Sequence, residues 1–205
     1  AFTVPVMTEQ TRNVSFQEVL NLPVPPADHR ITYGAAPQQF GELRLPRNSA
    51  GPHPVVLLVH GGCWQGAYDI THSRPLAAAI ADAGYAVWSV EYRRLGQPGG
   101  GWPGTFDDVA AGADHLRTLA PRHNLDLTRV IAVGHSAGGQ LVLWLATRGG
   151  QALPLRGVVG LAAITDLATY GSEAGSCNAS VYPLMGGTPA EHADRYAAVS
   201  PIERA

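Results

Sequence analysis

The stretch VIAVGHSAGGQLVLWLA at 130–146 restricts the fold of this 205-residue chain more than any other. An apolar, β-branched run ends in Gly134-His135-Ser136-Ala137-Gly138-Gly139, and a segment of helical character follows without a spacer. A strand that reverses into a helix within a few atoms forces the central residue of the turn into a strained, crowded backbone. Glycines at 134 and 138 remove the side chains that would collide there, and Ser136 is left with its Oγ projecting beyond the strand end. The helix that follows aims its free N–H groups and positive dipole end at the same point.

The same alternation continues along the chain. Residues 1–27 are polar and then proline-punctuated, and read as an arm leading into one domain over 28–205. RITYG and QFGELRLP predict an antiparallel hairpin at a sheet edge. HPVVLLVHGG at 53–62 and YAVWSVEY at 85–92 read as buried strands, with a helix over 74–84 between them that stops at Gly84. Pro103 opens a helix carrying Phe106, Val109, Ala110, Ala113 and Leu116 at helical spacing, which Pro121 is expected to end. RVIAVGH is a strand, 137–147 a helix and GVVGLAAIT at 157–165 a further strand. Thr188, Pro189 and Glu191 form a capping-box pattern that predicts a short helix to about 198. Buried strands alternating with amphipathic helices predict an α/β fold, a mostly parallel sheet with helices on both faces. Functional groups in such sheets lie beyond the carboxyl ends of the strands, where both glycine turns fall.

Composition closes off several classes. Hydrophobic residues make up 45% of the chain and charged residues 15%, as in a compact globular domain. The formal charge is −2, and the fourteen basic residues are scattered arginines, which argues against nucleic acid or an anionic membrane as partner. The absence of lysine removes a P-loop and Schiff-base chemistry. Histidines at 53, 60, 72, 115, 123 and 135 have no metal-ligand spacing, so no metal is expected. Cys63 and Cys177 could pair, but two thiols are no disulfide framework, and the expectation is free thiols in a reducing compartment. With no leader-like segment in residues 1–25 and no apolar run of membrane-spanning length, the expected location is cytoplasmic. Met7 is a candidate natural start.

The earlier turn, VHGGCWQG at 59–66, ends a strand in the same way. Acyl transfer needs donors fixed in advance around the oxygen that becomes an oxyanion, and backbone N–H groups exposed by glycines serve. Gly62 and Cys63 are the candidate donors here, joined by Ala137 directly after the candidate nucleophile Ser136. The competing readings are a plain glycine-rich turn and a dinucleotide fingerprint, which needs glycine where Ser136 stands. His60 reads as a hydrogen-bonded structural residue. Cys63 offers a rival thiol nucleophile, but its backbone N–H is the stronger assignment, and Trp64 reads as packing or pocket wall.

These residues resemble the α/β-hydrolase superfamily, in particular its small esterase/lipase branch of hormone-sensitive-lipase-like esterases and kynurenine-formamidase-like enzymes. The resemblance is carried by HGGCW (60–64), VEYRRLG (90–96), WPGTFDDVAAGADHLR (102–117), RVIAVGHSAGGQLVLWLA (129–146) and LMGGTPAEHADRYAAVSPIERA (184–205). It implies a sheet of about eight strands, no cofactor, and hydrolysis through an acyl-enzyme on Ser136 with Gly62, Cys63 and Ala137 as oxyanion donors. Hormone-sensitive-lipase-like relatives have glycine at the position of Cys63, whereas formamidase-like members take a bulkier residue there.

The superfamily order is serine, then acid, then histidine. After Ser136 the chain has His192 and the acids Asp166, Glu173, Glu191, Asp194 and Glu203, so a formal Ser136–Asp166–His192 triad can be written. His192 falls in the first turn of the expected helix, a poor place for a base that must meet Oγ near 3 Å. Asp166 follows a strand, with helix capping as its competing role. The favoured expectation is that the sheet lacks its last two strand–helix units, about 60 residues at roughly 30 each, which bring the acid and histidine from beyond Ala205. Three functions remain open on the sequence. One is a serine hydrolase of small carboxylic esters. Another is an arylformamidase-type amidase on an N-formyl aromatic substrate, with Trp64, Trp102, Tyr68 and Tyr170 as candidate pocket aromatics. The third is a non-catalytic binding module on the same scaffold.

Overall fold

The computed structural model describes residues 13–150 and 152–204. Six strands, β1 (His29–Thr32), β2 (Phe40–Arg44), β3 (His53–Val59), β4 (Ala86–Val90), β5 (Leu125–His135) and β6 (Gly157–Leu161), form one sheet in the order β1-β2-β4-β3-β5-β6. The β1–β2 hairpin and the β2–β4 pair are antiparallel, whereas β4, β3, β5 and β6 run parallel. Helices α2 (Arg74–Asp82), α3 (Gly104–Asp114), α4 (Leu116–His123) and α5 (Ala137–Ala146) connect these strands, as the strand–helix alternation requires. A short α1 (Phe16–Leu20) precedes the sheet, and α6 (Leu167–Ser172), α7 (Val181–Met185) and α8 (Ala193–Val199) follow it.

Alternation along β3 shows that both faces are covered. Val55, Leu57 and Val59 point into the larger core with Trp88, Phe106, Leu116 and Leu141, while Val56 and Leu58 pack with Val87 against Ala77 and Ala81 of α2. The cover on the α2 side is partial. Ile131, Val159 and Leu161, which the parallel register places side by side on that face, are 37%, 44% and 41% exposed.

Two expectations need correction. Pro121 lies inside α4 instead of ending it. A proline removes one N–H and crowds the turn before it, but leaves later residues free to keep helical dihedrals. The stop is Asn124, in the left-handed conformation at φ 51°, ψ 47°. The Thr188–Glu191 pair does form, with the carboxylate accepting from the Thr188 N–H and hydroxyl at 2.8 Å each. It closes an isolated turn, however, and α8 starts afresh at Ala193 after His192. Within the expected arm, Ser15 and Glu18 make a full capping box on α1. Residues 1–12 of the expected arm, Met7 included, lie outside the described residues.

The chain leaving β4 is fixed by Asp108 of α3. Its buried carboxylate accepts from the Arg93 backbone N–H (2.9 Å), from Arg93 Nε and Nη2 (2.7 and 2.6 Å) and from Gln39 Nε2 (2.7 Å). Removing one member of such a buried, multiply bonded pair strands the others, at about 3 kcal/mol or more. Asp108→Ala is therefore expected to lower the urea unfolding free energy by about 3 kcal/mol. A loss under ~1 kcal/mol would mean that solvent already screens the pair.

Candidate active site

Ser136 sits between β5 and α5 at φ 53° and ψ −117°, a conformation that L-residues rarely adopt. Its N–H donates to Leu161 O at 2.8 Å and its carbonyl accepts from Gln140 N at 3.1 Å, which holds the turn from both sides. The glycines around it are required by contact. A Cβ on Gly134 would lie 2.2 Å from Gly138 O, and one on Gly138 would lie 2.2 Å from Val59 O and 2.5 Å from His60 O. One on Gly139 would meet Ala163 Cβ at 2.7 Å. Backbone thus packs on backbone, and half-buried Ser136 opens into a cavity of about 300 Å³ lined also by Ala162, Ala163, Asp166, Thr169 and Tyr170.

The β3 turn lies against this corner. Gly61 has no room for a side chain because His135 O would be 2.6 Å away, and a Cβ on Gly62 would collide with Tyr68. Gly62, Cys63 and Trp64 follow one another with φ of 111°, 53° and 56°. Trp64 is held in this unusual backbone by complete burial and by its indole N–H, which donates to Gln140 Oε1 at 3.3 Å. Gln140 in turn donates to Val199 O at 2.9 Å, so α5, the β3 turn and α8 share one buried amide. Among the described residues, the N–H groups of Gly62, Cys63 and Ala137 donate to no protein acceptor. Ala137, the first residue of α5, has no carbonyl in its own helix to bond.

Cys63 is bonded to Cys177, which corrects the expectation of free thiols. The two lie 114 residues apart in sequence, and the fold brings their Cα atoms to 4.9 Å, within disulfide reach. The reducing-compartment argument for a cytoplasmic location loses its support with this bond.

Behind the turn lies a buried polar cluster that the sequence reading found only in part. His60 is stacked on Tyr92 at 4.6 Å, its Nδ1 is 2.7 Å from Gly61 O, and its Nε2 is 2.9 Å from Glu91 Oε1. Arg94 Nη1 contacts both Glu91 Oε1 and His60 Nε2, and the Tyr92 hydroxyl donates to His60 O at 2.8 Å. Burial, then the adjacent Arg94 cation, pushes His60 down to about 3. Burial and Arg94 thus favour the neutral imidazole, whose tautomer decides whether Gly61 O or Glu91 Oε1 receives its N–H; in either form the role is structural, as the sequence suggests. His72, packed edge-on to His60 at 5.5 Å, is lowered to about 4 by burial and by that neighbour. The signal for Glu91 and Arg94 was present: charged residues directly at the end of an apolar strand need each other once buried.

The formal triad is not assembled. Asp166 caps α6, accepting from Thr169 N (3.0 Å) and Thr169 Oγ1 (2.6 Å), and these bonds hold its carboxyl below the usual range. His192 is the N-cap residue of α8, with Nε2 3.1 Å from Gly186 O. Among the described residues no hydrogen bond links Ser136, Asp166 and His192. Of the four candidate pocket aromatics, Trp64 is core and Trp102 packs on Phe106, while Tyr170 lines the Ser136 cavity and Tyr68 abuts Gly62. Among the described residues no cluster of three or more His, Cys, Asp or Glu side chains is placed to hold a metal, and no helix is long and apolar enough to cross a membrane.

Comparison with known proteins agrees with this architecture. Residues 42–204 match the BD-FAE family. A protein of Arabidopsis thaliana named probable isoprenylcysteine alpha-carbonyl methylesterase is 31% identical over 111 residues, which cover 54% of this chain and 23% of the relative. The chain thus spans about a quarter of the length of the curated relatives it matches. Esterase B from Lactobacillus rhamnosus superposes with a TM-score of 0.69 at 23% identity, over 83% of this chain and 59% of the esterase. A bacterial heroin esterase superposes at 0.61 with 27% identity, over 76% and 51% of the two chains. The sheet is of the α/β-hydrolase type, with six strands described where the resemblance implies about eight.

A histidine held neutral in the folded state makes stability depend on pH. The unfolded chain protonates His60 as pH falls through about 6.5, whereas the folded chain resists until about 3. The contribution is complete above 6.5 and erodes toward 3, by roughly 1.4 kcal/mol per pH unit for one such group. Urea unfolding between pH 7 and 4.5 is expected to show this falling limb, and His60→Gln to make it shallower. An unchanged slope in the variant would show that His60 carries a proton when folded.

Proposed function

The chain belongs to the BD-FAE family, and on that premise we propose that it is the acyl-transfer part of a serine hydrolase acting on small carboxylic esters. Ser136 Oγ attacks the ester carbonyl, and the tetrahedral oxyanion is received by the N–H groups of Gly62, Cys63 and Ala137. The alcohol departs with a proton, and water then releases the acid from the acyl-enzyme. The observation that carries this reading is the left-handed Ser136 at the head of α5, beside a second turn whose N–H groups have no acceptor among the described residues. The names of the relatives, a methylesterase and two esterases, favour an ester over an amide. The packing of Trp64 and Trp102 argues against a four-sided aromatic pocket for an N-formyl aromatic group.

Asp166 and His192 are bonded elsewhere, so the reading takes its acid–base pair from outside residues 13–204. The proton on Ser136 Oγ must reach a histidine within hydrogen-bond range, and triad members act as a unit. Residues 13–204 alone are then expected to show only the residual rate that oxyanion binding supports.

Full-length protein is expected to be labelled by a fluorophosphonate at Ser136 and to hydrolyse p-nitrophenyl acetate. Ser136→Ala should abolish labelling and lower kcat/KM by at least about 10³-fold. Faster turnover of N-formylkynurenine than of the ester would move the assignment to the amidase. Absence of labelling in folded full-length protein would leave a non-catalytic binding module.

A further inference from the structure

Cys63 occupies a backbone position that disfavours it. At φ 53° the side chain of an L-residue crowds its own carbonyl, and Trp64 repeats the same conformation at φ 56°. Such residues persist where their surroundings over-determine them. Trp64 has the core and Gln140. Cys63 is half-buried, and its side-chain hold is the bond to Cys177. Cys177 is itself well anchored. It immediately precedes a short 3-10 turn, Asn178–Ser180, in which the Asn178 amide donates to Tyr170 O at 2.7 Å and Ser180 Oγ accepts from Gln65 Nε2 at 2.8 Å. The β3 turn is therefore tied twice to one segment, covalently through Cys63 and by a hydrogen bond through Gln65.

We propose that the Cys63–Cys177 disulfide is a positioning element of the oxyanion site, which makes the hydrolase active when oxidised and impaired when reduced. This rests on the reading of Gly62, Cys63 and Ala137 as oxyanion donors. With the bond intact, the tethered Cys63 side chain limits rotation of its peptide and so keeps the N–H in the role that reading gives it. A dithiol attacks one sulfur, displaces the other as a thiolate, then closes into its own cyclic disulfide and frees the second. Two electrons and two protons pass to Cys63 and Cys177. Cys63 is then released toward ordinary backbone dihedrals and its N–H swings off the oxyanion position, while the Gln65–Ser180 bond and the buried Trp64 keep the fold together. Donor geometry matters in the transition state more than in the substrate complex, so the loss falls on kcat and not on KM.

The test uses full-length protein with p-nitrophenyl acetate and a fluorophosphonate, before and after dithiothreitol and after reoxidation. Native protein is expected to yield no alkylatable thiol at 63 or 177. Reduction should lower kcat about tenfold to a hundredfold with KM changed less than about threefold, far-ultraviolet circular dichroism unchanged, and recovery on reoxidation. Cys177→Ser should match the reduced protein and ignore dithiothreitol. Cys63→Gly, which accepts a left-handed φ without strain, should retain more kcat than Cys63→Ala. Two free thiols in the native protein, an unchanged kcat on reduction, or a fall that follows loss of the circular dichroism signal each overturn the positioning role. Oxidised protein that resists the fluorophosphonate overturns the esterase reading and this proposal with it. Equal reactivity in both redox states overturns this proposal alone.

Discussion

The rest of the structure depends on the contact between the start of α5 and the end of β3. Gly138 lies so close to the carbonyls of Val59 and His60 that a single added carbon would sit 2.2 and 2.5 Å from them, distances no side chain survives. That contact exists because β3 and β5 are parallel neighbours in a register that sets Val59 beside Gly134. Two strands ending at the same level must send their turns out side by side. The two glycine turns, some 75 residues apart in the chain, are brought together by sheet register alone.

Close approach of backbones leaves little apolar surface to hold the turns, and a buried polar cluster supplies what side-chain packing does elsewhere. Glu91 accepts from Ile70 N at 2.9 Å and from Tyr92 N at 2.8 Å while contacting Arg94, and Tyr92 reaches across to the carbonyl of His60. The exits of β3 and β4 are locked to each other through these groups. Burying such charges gains little stability in itself, because desolvation offsets most of the attraction. The gain is in uniqueness: a displaced turn would leave a carboxylate or guanidinium without partners, at several kcal/mol. Burial, and after it the Arg94 cation, lowers the His60 imidazole within this cluster.

Legibility in the sequence followed the range of the forces involved. The hairpin, β3, β4, β5, α2 and α5 stand where periodicity and glycine punctuation put them, because each is specified by residues close together in the chain. The steric need for glycine at 134 and 138 was likewise readable, being local. Pro121 misled because proline constrains the turn before it more than the one after. Thr188 and Glu191 misled because a capping box satisfies its own donors whether or not a helix continues. The Cys63–Cys177 bond was out of reach for a different reason. Two cysteines 114 residues apart carry no pairing signal until the fold places α6 and its following segment over the β3 turn. Glu91 and Arg94 stand between these cases, marked by type and missed as a pair.

The two halves of the corner are held with unequal firmness. The β3-turn side is fastened by a disulfide, a buried indole and a desolvated ion cluster. The serine side leans on Leu161, whose carbonyl takes the Ser136 N–H, at the end of a β6 that has a paired strand on one side only. Across that half of the sheet the α2 face is thinly covered, with Ile131, Val159 and Leu161 each more than a third exposed. Apolar side chains in that state contribute only part of the ~25 cal/mol per Å² that complete burial supplies. Leu161 thus belongs both to that thinly covered face, through its side chain, and to the turn, through the carbonyl that takes the Ser136 N–H.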